Sequence, residues 1–242
     1  ACSEAAAAWL FGGRAKEARI LRNAVDCGAL AFNPEIRRAV RAELDLKPGQ
    51  LAVCHVGRFS PQKNHAFLIG LFAELAAERP DAVLVLVGDG PLRNAAASRA
   101  EAAGVGGRVR FLGLRGDVAR LLAGMDVMVF PSLHEGLPLT LVEAQASGLP
   151  CIVSDRVTAE ADLGIGLVTR LPLEAPRAAW IREILRAAAA AAAESHLARL
   201  KSADEVRLRG YDIDEAAADL ARYYGQACRD FAARPAEERW IV

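Results

Sequence analysis

The chain has 242 residues, of which 30 are basic and 30 are acidic, so its formal net charge is zero. This balance argues against a general affinity for nucleic acids. The hydrophobic share of 53% argues against a disordered chain, because that much apolar surface can offset the entropy lost on folding. No apolar run reaches the roughly 18 residues that a membrane span needs. The length suits one or two globular domains.

The five cysteines lie far apart and include no Cys-x-x-Cys pair. Their spacing argues against a zinc knuckle and against a small disulfide framework. A sparse and odd number of cysteines is typical of reduced thiols in a cytosolic protein. The sequence therefore predicts free thiols at Cys2, Cys27, Cys54, Cys151 and Cys228.

Two helices are predicted in the first part of the chain. The first covers residues 3–11 and begins at Ser3, and the second covers residues 35–44. A short polar connection at residues 23–26 lies between them.

Five short apolar runs follow, and each is apolar on both faces. Runs of this kind are typical of strands in a buried parallel sheet. The predicted strands cover residues 51–56, 82–87, 109–112, 126–130 and 150–154. Helical stretches separate them at residues 66–77, 91–103, 118–123 and 139–147, with Asn64 as the expected N-cap of the first. This alternation predicts an α/β fold with a doubly wound, Rossmann-like parallel sheet.

Two more helices are predicted after the sheet. Residues 178–200 are rich in alanine and form one helix, and a last helix begins near residue 211 with Asp212 or Asp214 as its cap. Arginines at positions 182, 186, 199, 207 and 209 alternate here with acidic residues, which indicates a solvated face of mixed charge rather than a basic binding surface.

The loop after the first strand contains Gly57, Arg58 and Lys63, and a helix begins directly behind it. Two cations and the unpaired N–H groups of a helix start are the groups that bind a diphosphate. A solvated basic loop is the alternative explanation.

The loop after the fourth strand contains Glu135, Gly136, Leu137 and Pro138, and Glu143 lies in the helix that follows. A carboxylate accepts hydrogen bonds from two neighbouring hydroxyls, so both acids suit a ribose or a hexose. A helix-start glutamate and a surface glutamate are the alternative. Since Glu143 stands among apolar neighbours, we expect it to be more buried than a surface acid.

These motifs resemble the donor-binding half of the retaining glycosyltransferases of the GT-B fold, family 4. Gly57-Arg58 with Lys63 and the seven-residue gap between Glu135 and Glu143 match the family pattern. The sequence is similar to the EpsF-like exopolysaccharide and capsule enzymes over essentially its whole length. The stretches that support the resemblance are residues 9–12, 23–26, 62–72, 87–92, 111–118, 131–155 and 210–213.

The resemblance implies a nucleotide-sugar donor, with a UDP-sugar expected, and hexosyl transfer to a polysaccharide or lipid-linked acceptor. Arg58 and Lys63 would bind the diphosphate and stabilise the departing nucleoside diphosphate. No metal and no further cofactor is implied, because the two cations take the place of a metal.

The resemblance also assigns the remaining donor contacts. Glu143 would accept hydrogen bonds from the ribose, Glu135 would contact the transferred sugar, and the backbone N–H groups of Gly136 and Leu137 would meet sugar or phosphate oxygens. The uracil or guanine would lie against backbone near Leu114 and Arg115. The implied catalytic residues are Arg58, Lys63 and Glu135, and the donor-binding residues add Gly57, Leu114, Arg115, Gly136, Leu137 and Glu143.

Family members close two domains over the donor, and this chain begins at what resembles the last helix of the first domain. We therefore expect residues 1–26 to be a remnant of that domain with a linker, residues 27–210 to bind the donor, and residues 211–242 to form a C-terminal helix and tail. The acceptor domain is then missing through truncation or is supplied by a partner chain, and the chain alone should transfer little. The alternative is a non-catalytic nucleotide-sugar-binding module that pairs with or regulates a partner. We expect the full enzyme to be cytoplasmic, with peripheral association at the inner membrane face.

Three other features have simpler explanations. The histidine next to Glu135, His134, is expected to line the loop rather than to act as an acid or base, and His55 and His65 are expected to be structural. Gly88-Asp89-Gly90 is expected to form a tight turn, since it lacks the third glycine of a dinucleotide fingerprint.

Overall fold

A computed structural model describes residue 1, residues 4–193 and residues 197–233 of the chain. Its centre is a parallel sheet of six strands in the order β3-β2-β1-β4-β5-β6. The strands are β1 Ala52–Val56, β2 Val83–Val87, β3 Val109–Gly113, β4 Val127–Phe130, β5 Cys151–Ser154 and β6 Val168–Leu171. The α/β, doubly wound fold predicted from the sequence is confirmed.

The five predicted strands are all present within a residue of their expected ends, but the sequence missed β6. All four residues of β6 are only half-buried, as befits a strand at the edge of the sheet. It therefore lacks the continuous apolar run that identified the other strands.

Helices cover both faces of this sheet. They are α1 Glu4–Phe11, α2 Cys27–Leu30, α3 Pro34–Glu43, α4 His65–Glu78, α5 Arg93–Ala102, α6 Val118–Gly124, α7 Leu139–Ala146, α8 Arg177–Ala193, α9 Leu197–Leu208 and α10 Ile213–Ala233. Short 3-10 turns lie at Gly12–Glu17, Pro61–Lys63, Gly106–Arg108 and Ala159–Ala161. Within the described ranges, no helix is long and apolar enough to cross a membrane.

Of four details of the predicted helices, two change, one is confirmed and one lies outside the described residues. Ser3, the expected start of the first helix, lies outside the described residues. The helix expected at 178–200 corresponds to α8 and to α9, which extends to Leu208. Asn64 precedes α4, but its backbone is left-handed, with a φ of 54°, and its side chain makes no capping hydrogen bond. Asp212 does cap α10, because its Oδ1 accepts from the N–H of Asp214 at 3.1 Å.

The core consists of one apolar layer on each face of the sheet. Ala52 and Cys54 of β1 point into the layer formed with α2, α3, α6, α7 and α9. Val53, between them, points into the layer formed with α4, α5 and α8. Because β1 is buried on both faces, it has the continuous apolar sequence by which it was predicted. The described cysteines are all free thiols, and Cys2 lies outside the described residues.

Arg199 of α9 is buried and donates hydrogen bonds to the C-terminal ends of α6 and α7. The expectation that Arg199 belongs to a solvated face is therefore wrong. Its side chain is 4% exposed, and its guanidinium donates to the carbonyl oxygens of Leu122, Met125 and Ser147 at 3.2, 3.0 and 3.1 Å. These carbonyls lie at or near the C-terminal ends of α6 and α7, where helices leave carbonyl oxygens without an intrahelical partner. The other arginines of the predicted mixed face do pair with acids, as in Arg209 with Glu205.

The strand order fixes where a ligand crevice must lie. From β1 the chain proceeds to β2 and β3 on one side, and from β4 it proceeds to β5 and β6 on the other. In open parallel sheets, ligands bind outside the carboxyl ends of the strands where the order reverses. Here that point lies between β1 and β4, which pair at Val53 with Val127.

Candidate functional site

The loop at residues 57–64, which follows β1, is fixed by close backbone packing against the loop after β2. Gly57 N–H donates to the Val87 carbonyl at 2.9 Å, and Phe59 N–H donates to that of Asp89 at 3.0 Å. Gly88 has a φ of 132°, and a Cβ there would lie 2.2 Å from the Gly57 carbonyl oxygen. A side chain at residue 88 is therefore excluded, so the predicted tight turn is in fact a close approach of two backbones.

Lys63 and Glu135 meet at the point where the strand order reverses. The Lys63 Nζ lies 2.7 Å from the Glu135 Oε1, and the two side chains are 14% and 8% exposed. The same Nζ lies 4.5 Å from the centre of the Phe130 ring, at the end of β4, within the range of a cation–π contact. Two residues that are 72 positions apart in the sequence are thus neighbours in the loops that follow adjacent strands.

Backbone contacts hold the two loops together beside this ion pair. Leu133 N–H donates to the Gln62 carbonyl at 2.8 Å, and the Gln62 side-chain amide donates to the His134 carbonyl at 2.9 Å. The position of Lys63 relative to Glu135 is therefore set by the loops as well as by the charges. Sequence reasoning missed Gln62, because a glutamine in a polar loop carries no signal of its own.

Arg58 lies beside a cavity of about 450 Å³ at the carboxyl ends of β1, β2 and β3. Arg58 is exposed and forms no ion pair with any described residue. Gly57 also lines the cavity, and a Cβ there would lie 3.1 Å from the Lys63 Cε, so the cavity borders the ion pair. The cavity lining is Val56, Gly57, Arg58, Val87, Gly88, Asp89, Leu114, Arg115 and Val118.

A larger cavity, of about 650 Å³, lies between residues 19–24 and the first half of α10. It contains none of the predicted site residues, although Leu139, at the start of α7, is part of its lining. We therefore place the candidate site by topology and charge rather than by volume.

The two residues after β3 contribute differently to the cavity. Leu114 is 80% exposed, whereas Arg115 forms a bidentate pair with Asp117 at 2.7 and 2.8 Å and also reaches Glu43 at 3.0 Å. The hydrogen bonds from Arg115 hold the pKa of Asp117 well below its usual range. The Arg115 guanidinium is thus already engaged in ion pairs within the protein.

Glu143 is half-buried in α7, as expected from its apolar neighbours. Burial raises the pKa of its carboxyl group, which makes no hydrogen bond or ion pair with the described residues. Gly136 is exposed and Leu137 is half-buried in the turn before α7, and no side chain caps the first turn of this helix. The helix start is therefore available to an anion.

The structure brings some of the predicted residues together and not others. Lys63 contacts Glu135, and one cavity is shared by Gly57, Arg58, Leu114 and Arg115. Glu143 contacts neither group. Convergence of all of them on one ligand stays a prediction.

Two buried histidines lie behind this loop. His55 is fully buried and its Nδ1 lies 2.9 Å from the Val129 carbonyl, while the His65 ring stacks on Phe59 with a centroid distance of 4.0 Å. Burial lowers the pKa of His55 to about 3 and that of His65 to about 4. Both rings are therefore uncharged at neutral pH, and the expectation that His55 is a core residue is confirmed. His134 is exposed, and it is its carbonyl that contacts Gln62.

Among the described residues, no group of three or more His, Cys, Asp or Glu side chains is arranged to hold a metal ion. Metal-free chemistry nevertheless stays a prediction. Arg58, Lys63 and the engaged Arg115 are among the cations in the loops that follow the carboxyl ends of the strands.

Residues 36–187 match the family model described as glycosyl transferases group 1. This match covers more than half of the chain. The chain belongs to the glycosyl transferases group 1 family. The resemblance to glycosyltransferases that the motifs indicated is thereby confirmed at the level of the family.

Among curated relatives, the chain is 39% identical over 227 residues to EpsF of Bacillus subtilis (strain 168), whose name describes it as a glycosyltransferase. The match covers 93% of this chain and 58% of EpsF. It is also 39% identical over 145 residues to the UDP-Gal:alpha-D-GlcNAc-diphosphoundecaprenol alpha-1,3-galactosyltransferase of Escherichia coli, with coverage of 56% and 36%. The chain thus spans less than two thirds of these relatives.

Among solved structures, Anabaena Alr3699/HepE in complex with UDP matches this chain with a TM-score of 0.78 and 21% identity. The match covers 93% of this chain and 63% of that one. The complex of the same protein with UDP-glucose matches with a TM-score of 0.73 and 22% identity over the same shares. At this identity the likeness establishes the fold.

Proposed function

We propose that this chain is the donor-binding part of a retaining hexosyltransferase of family 4. It binds a nucleoside diphosphate sugar, a UDP-sugar, for transfer to a polysaccharide or lipid-linked acceptor. The observation that carries this proposal is the Lys63–Glu135 ion pair between the ends of β1 and β4. A cation for phosphate and a carboxylate for sugar hydroxyls are thereby adjacent at the expected crevice.

The diphosphate binds to Arg58 and Lys63, with Gly57 allowing the backbone to approach. Arg58 is exposed beside the cavity and forms no ion pair with the described residues, so its guanidinium can reach a ligand. The uncapped start of α4 lies directly behind the loop and adds N–H donors. These charges stabilise the departing nucleoside diphosphate, which is the largest catalytic effect expected here, and no metal is needed for it.

The rest of the donor extends along the same edge of the sheet. Glu143 accepts hydrogen bonds from the ribose, and its half-buried carboxyl without a partner supports this role. The base lies in the cavity against the backbone of Leu114 and Arg115. Glu135 contacts the transferred sugar, and the N–H groups of Gly136 and Leu137 meet its oxygens or those of phosphate.

Two relatives support the choice of a uridine nucleotide. The Escherichia coli enzyme is named for UDP-Gal, and the Anabaena structures contain UDP or UDP-glucose. We extend this to the present chain because its site has the groups that a diphosphate and a sugar require.

The acceptor site lies outside residues 27–210, which form the donor-binding domain in this proposal. Residues 1–26 belong to the preceding domain and its linker, and residues 211–242 form the C-terminal helix and tail. A further domain or a partner chain supplies the acceptor site, as the 58% coverage of EpsF supports, and the full enzyme works at the inner membrane face. The chain alone then binds donor but transfers little.

Isothermal titration calorimetry with UDP, GDP, UDP-glucose and GDP-mannose tests this proposal. We expect binding of the uridine ligands with micromolar to millimolar dissociation constants. Absence of binding to all four would contradict the proposal. Adding the N-terminal half of EpsF and finding restored sugar transfer would distinguish an enzyme from a non-catalytic binding module.

A further inference from the structure

The ion pair places a carboxylate beside the cation that is proposed to bind phosphate. Glu135 Oε1 lies 2.7 Å from the Lys63 Nζ, and only 8% of the Glu135 side chain is exposed. A charge with so little contact with water is weakly screened by salt. Any anion that approaches Lys63 therefore also meets the negative charge of Glu135.

The loops keep this carboxylate in place. Gln62, which precedes Lys63, makes two hydrogen bonds to the loop that contains Glu135. Its carbonyl accepts from the Leu133 N–H, and its side-chain amide donates to the His134 carbonyl. Separation of the two loops would break both of these hydrogen bonds. A bound diphosphate is therefore expected to share Lys63 with Glu135 rather than to displace the whole loop.

A free nucleoside diphosphate and a nucleoside diphosphate sugar differ at the position next to this pair. The terminal phosphate of the free form can ionise twice and carries about 1.5–2 negative charges at pH 7, as a phosphate monoester does, whereas esterification to a sugar leaves one. The sugar also brings hydroxyl groups that can donate hydrogen bonds to a carboxylate. Glu135 thus repels the first ligand more strongly and offers an additional contact to the second.

We propose that Glu135 is a specificity-determining residue that makes the site prefer a nucleoside diphosphate that carries a sugar over the free nucleoside diphosphate. The inference rests on the proposed function, which places the diphosphate at Lys63. After transfer, the spent nucleotide has gained charge next to Glu135 and has lost the sugar hydroxyls. Glu135 therefore promotes departure of the product.

The test compares dissociation constants for UDP and for UDP-glucose, measured by calorimetry at one salt concentration. In Glu135→Gln, which keeps the side-chain size and removes the charge, UDP binds more tightly. The preference for UDP-glucose, the ratio of the two constants, falls about five- to tenfold, as expected for one nearby, partly screened charge. Glu135→Ala removes the same charge and lowers the same ratio, and thermal melting verifies that both variants are folded.

Two matched variants serve as controls. Glu143→Gln alters the proposed ribose contact, which both ligands share, so both dissociation constants change by the same factor. Glu78→Gln neutralises an exposed acid at the end of α4, about 20 Å along the helix from its start, and changes neither constant.

The outcomes separate the two proposals. If the wild-type chain binds both ligands and the ratio is unchanged in Glu135→Gln and Glu135→Ala, Glu135 does not discriminate, and this inference is overturned while the proposed function stands. If the wild-type chain binds neither ligand, the proposed function fails and this inference fails with it.

Discussion

Lys63 is placed by contacts with the Glu135 carboxylate and the Phe130 ring, and its side chain occupies the space that a Cβ at residue 57 would need. We expect Lys63→Ala to weaken UDP binding by about 1.5–3 kcal/mol, the usual contribution of a hydrogen bond to a charged group. Arg58→Ala should have an effect of the same size. Lys47→Ala, which removes an exposed lysine far from β1's carboxyl end, is the control. Unchanged calorimetric affinity in both site variants would exclude this loop as the diphosphate site.

His65 should make the stability of the protein depend on pH. Its pKa is about 4 in the folded chain and about 6.5 when unfolded, so below pH 6.5 the unfolded chain binds the proton first. The stability is thus fully present above pH 6.5 and is lost as the pH falls towards 4. Between pH 7 and pH 5 we expect His65→Phe, which preserves a ring on Phe59, to lose about 2 kcal/mol less than the wild type.

Urea unfolding at the two pH values measures this difference. His134→Gln, which changes an exposed ring, should follow the wild type. An equal loss of stability in His65→Phe and the wild type would show that His65 is not the group responsible.

At the scale of the elements, the loop after β1 depends on the loop after β2. Because a Cβ at residue 88 would lie 2.2 Å from the Gly57 carbonyl, Gly88→Ala must push the two loops apart. We expect about 1–3 kcal/mol of destabilisation together with weaker UDP binding. Gly107→Ala, at a position where a Cβ meets nothing within 4 Å, should leave both unchanged. Urea denaturation measures the stability of the two variants, and calorimetry measures their affinity for UDP. Equal effects of Gly88→Ala and Gly107→Ala would contradict the prediction.

Helices α6, α7 and α9 are joined through Arg199. Arg199→Met keeps much of the side-chain volume but removes the guanidinium from three carbonyl oxygens. The Leu122 carbonyl keeps the N–H of Met125, and the Met125 carbonyl keeps the guanidinium of Arg37. The Ser147 carbonyl loses its donor, so we expect about 1–3 kcal/mol of destabilisation. Burial lowers the pKa of Arg199 to about 9, so the guanidinium is still charged at neutral pH. The free energy of unfolding in urea measures the effect. A variant as stable as the wild type would show that these hydrogen bonds offset only the cost of burying the charge.

The elements differ in how far the sequence predicts them. β1, β2 and β4 are buried on both faces, so an apolar run identified each of them. β6 is half-buried and lacks a continuous apolar run, so the sequence did not indicate a strand there. α9 buries the cation of Arg199, so its polarity indicated a surface position instead. Local sequence does not show which polar side chain will donate hydrogen bonds to backbone carbonyls that are distant in the chain. For this reason Arg199 was wrongly predicted to lie on a solvated face.

For the whole molecule, the strand order is what turns separate motifs into a site. The sequence places Lys63 after one strand and Glu135 after another, but only the pairing of β1 with β4 makes them neighbours. The local sequence pattern therefore predicts which types of residue follow the strands, but it does not predict the ion pair between Lys63 and Glu135. The link between Glu143 and these residues depends on a ligand and stays a prediction.

A crystal structure of the chain with bound UDP-glucose tests the central claim most directly. We predict diphosphate oxygens within about 3.2 Å of the Arg58 and Lys63 side-chain nitrogens, with the ribose at Glu143 and the glucose at Glu135. A nucleotide bound in the larger cavity beside α10, with Arg58 and Lys63 in contact with water alone, would contradict the account.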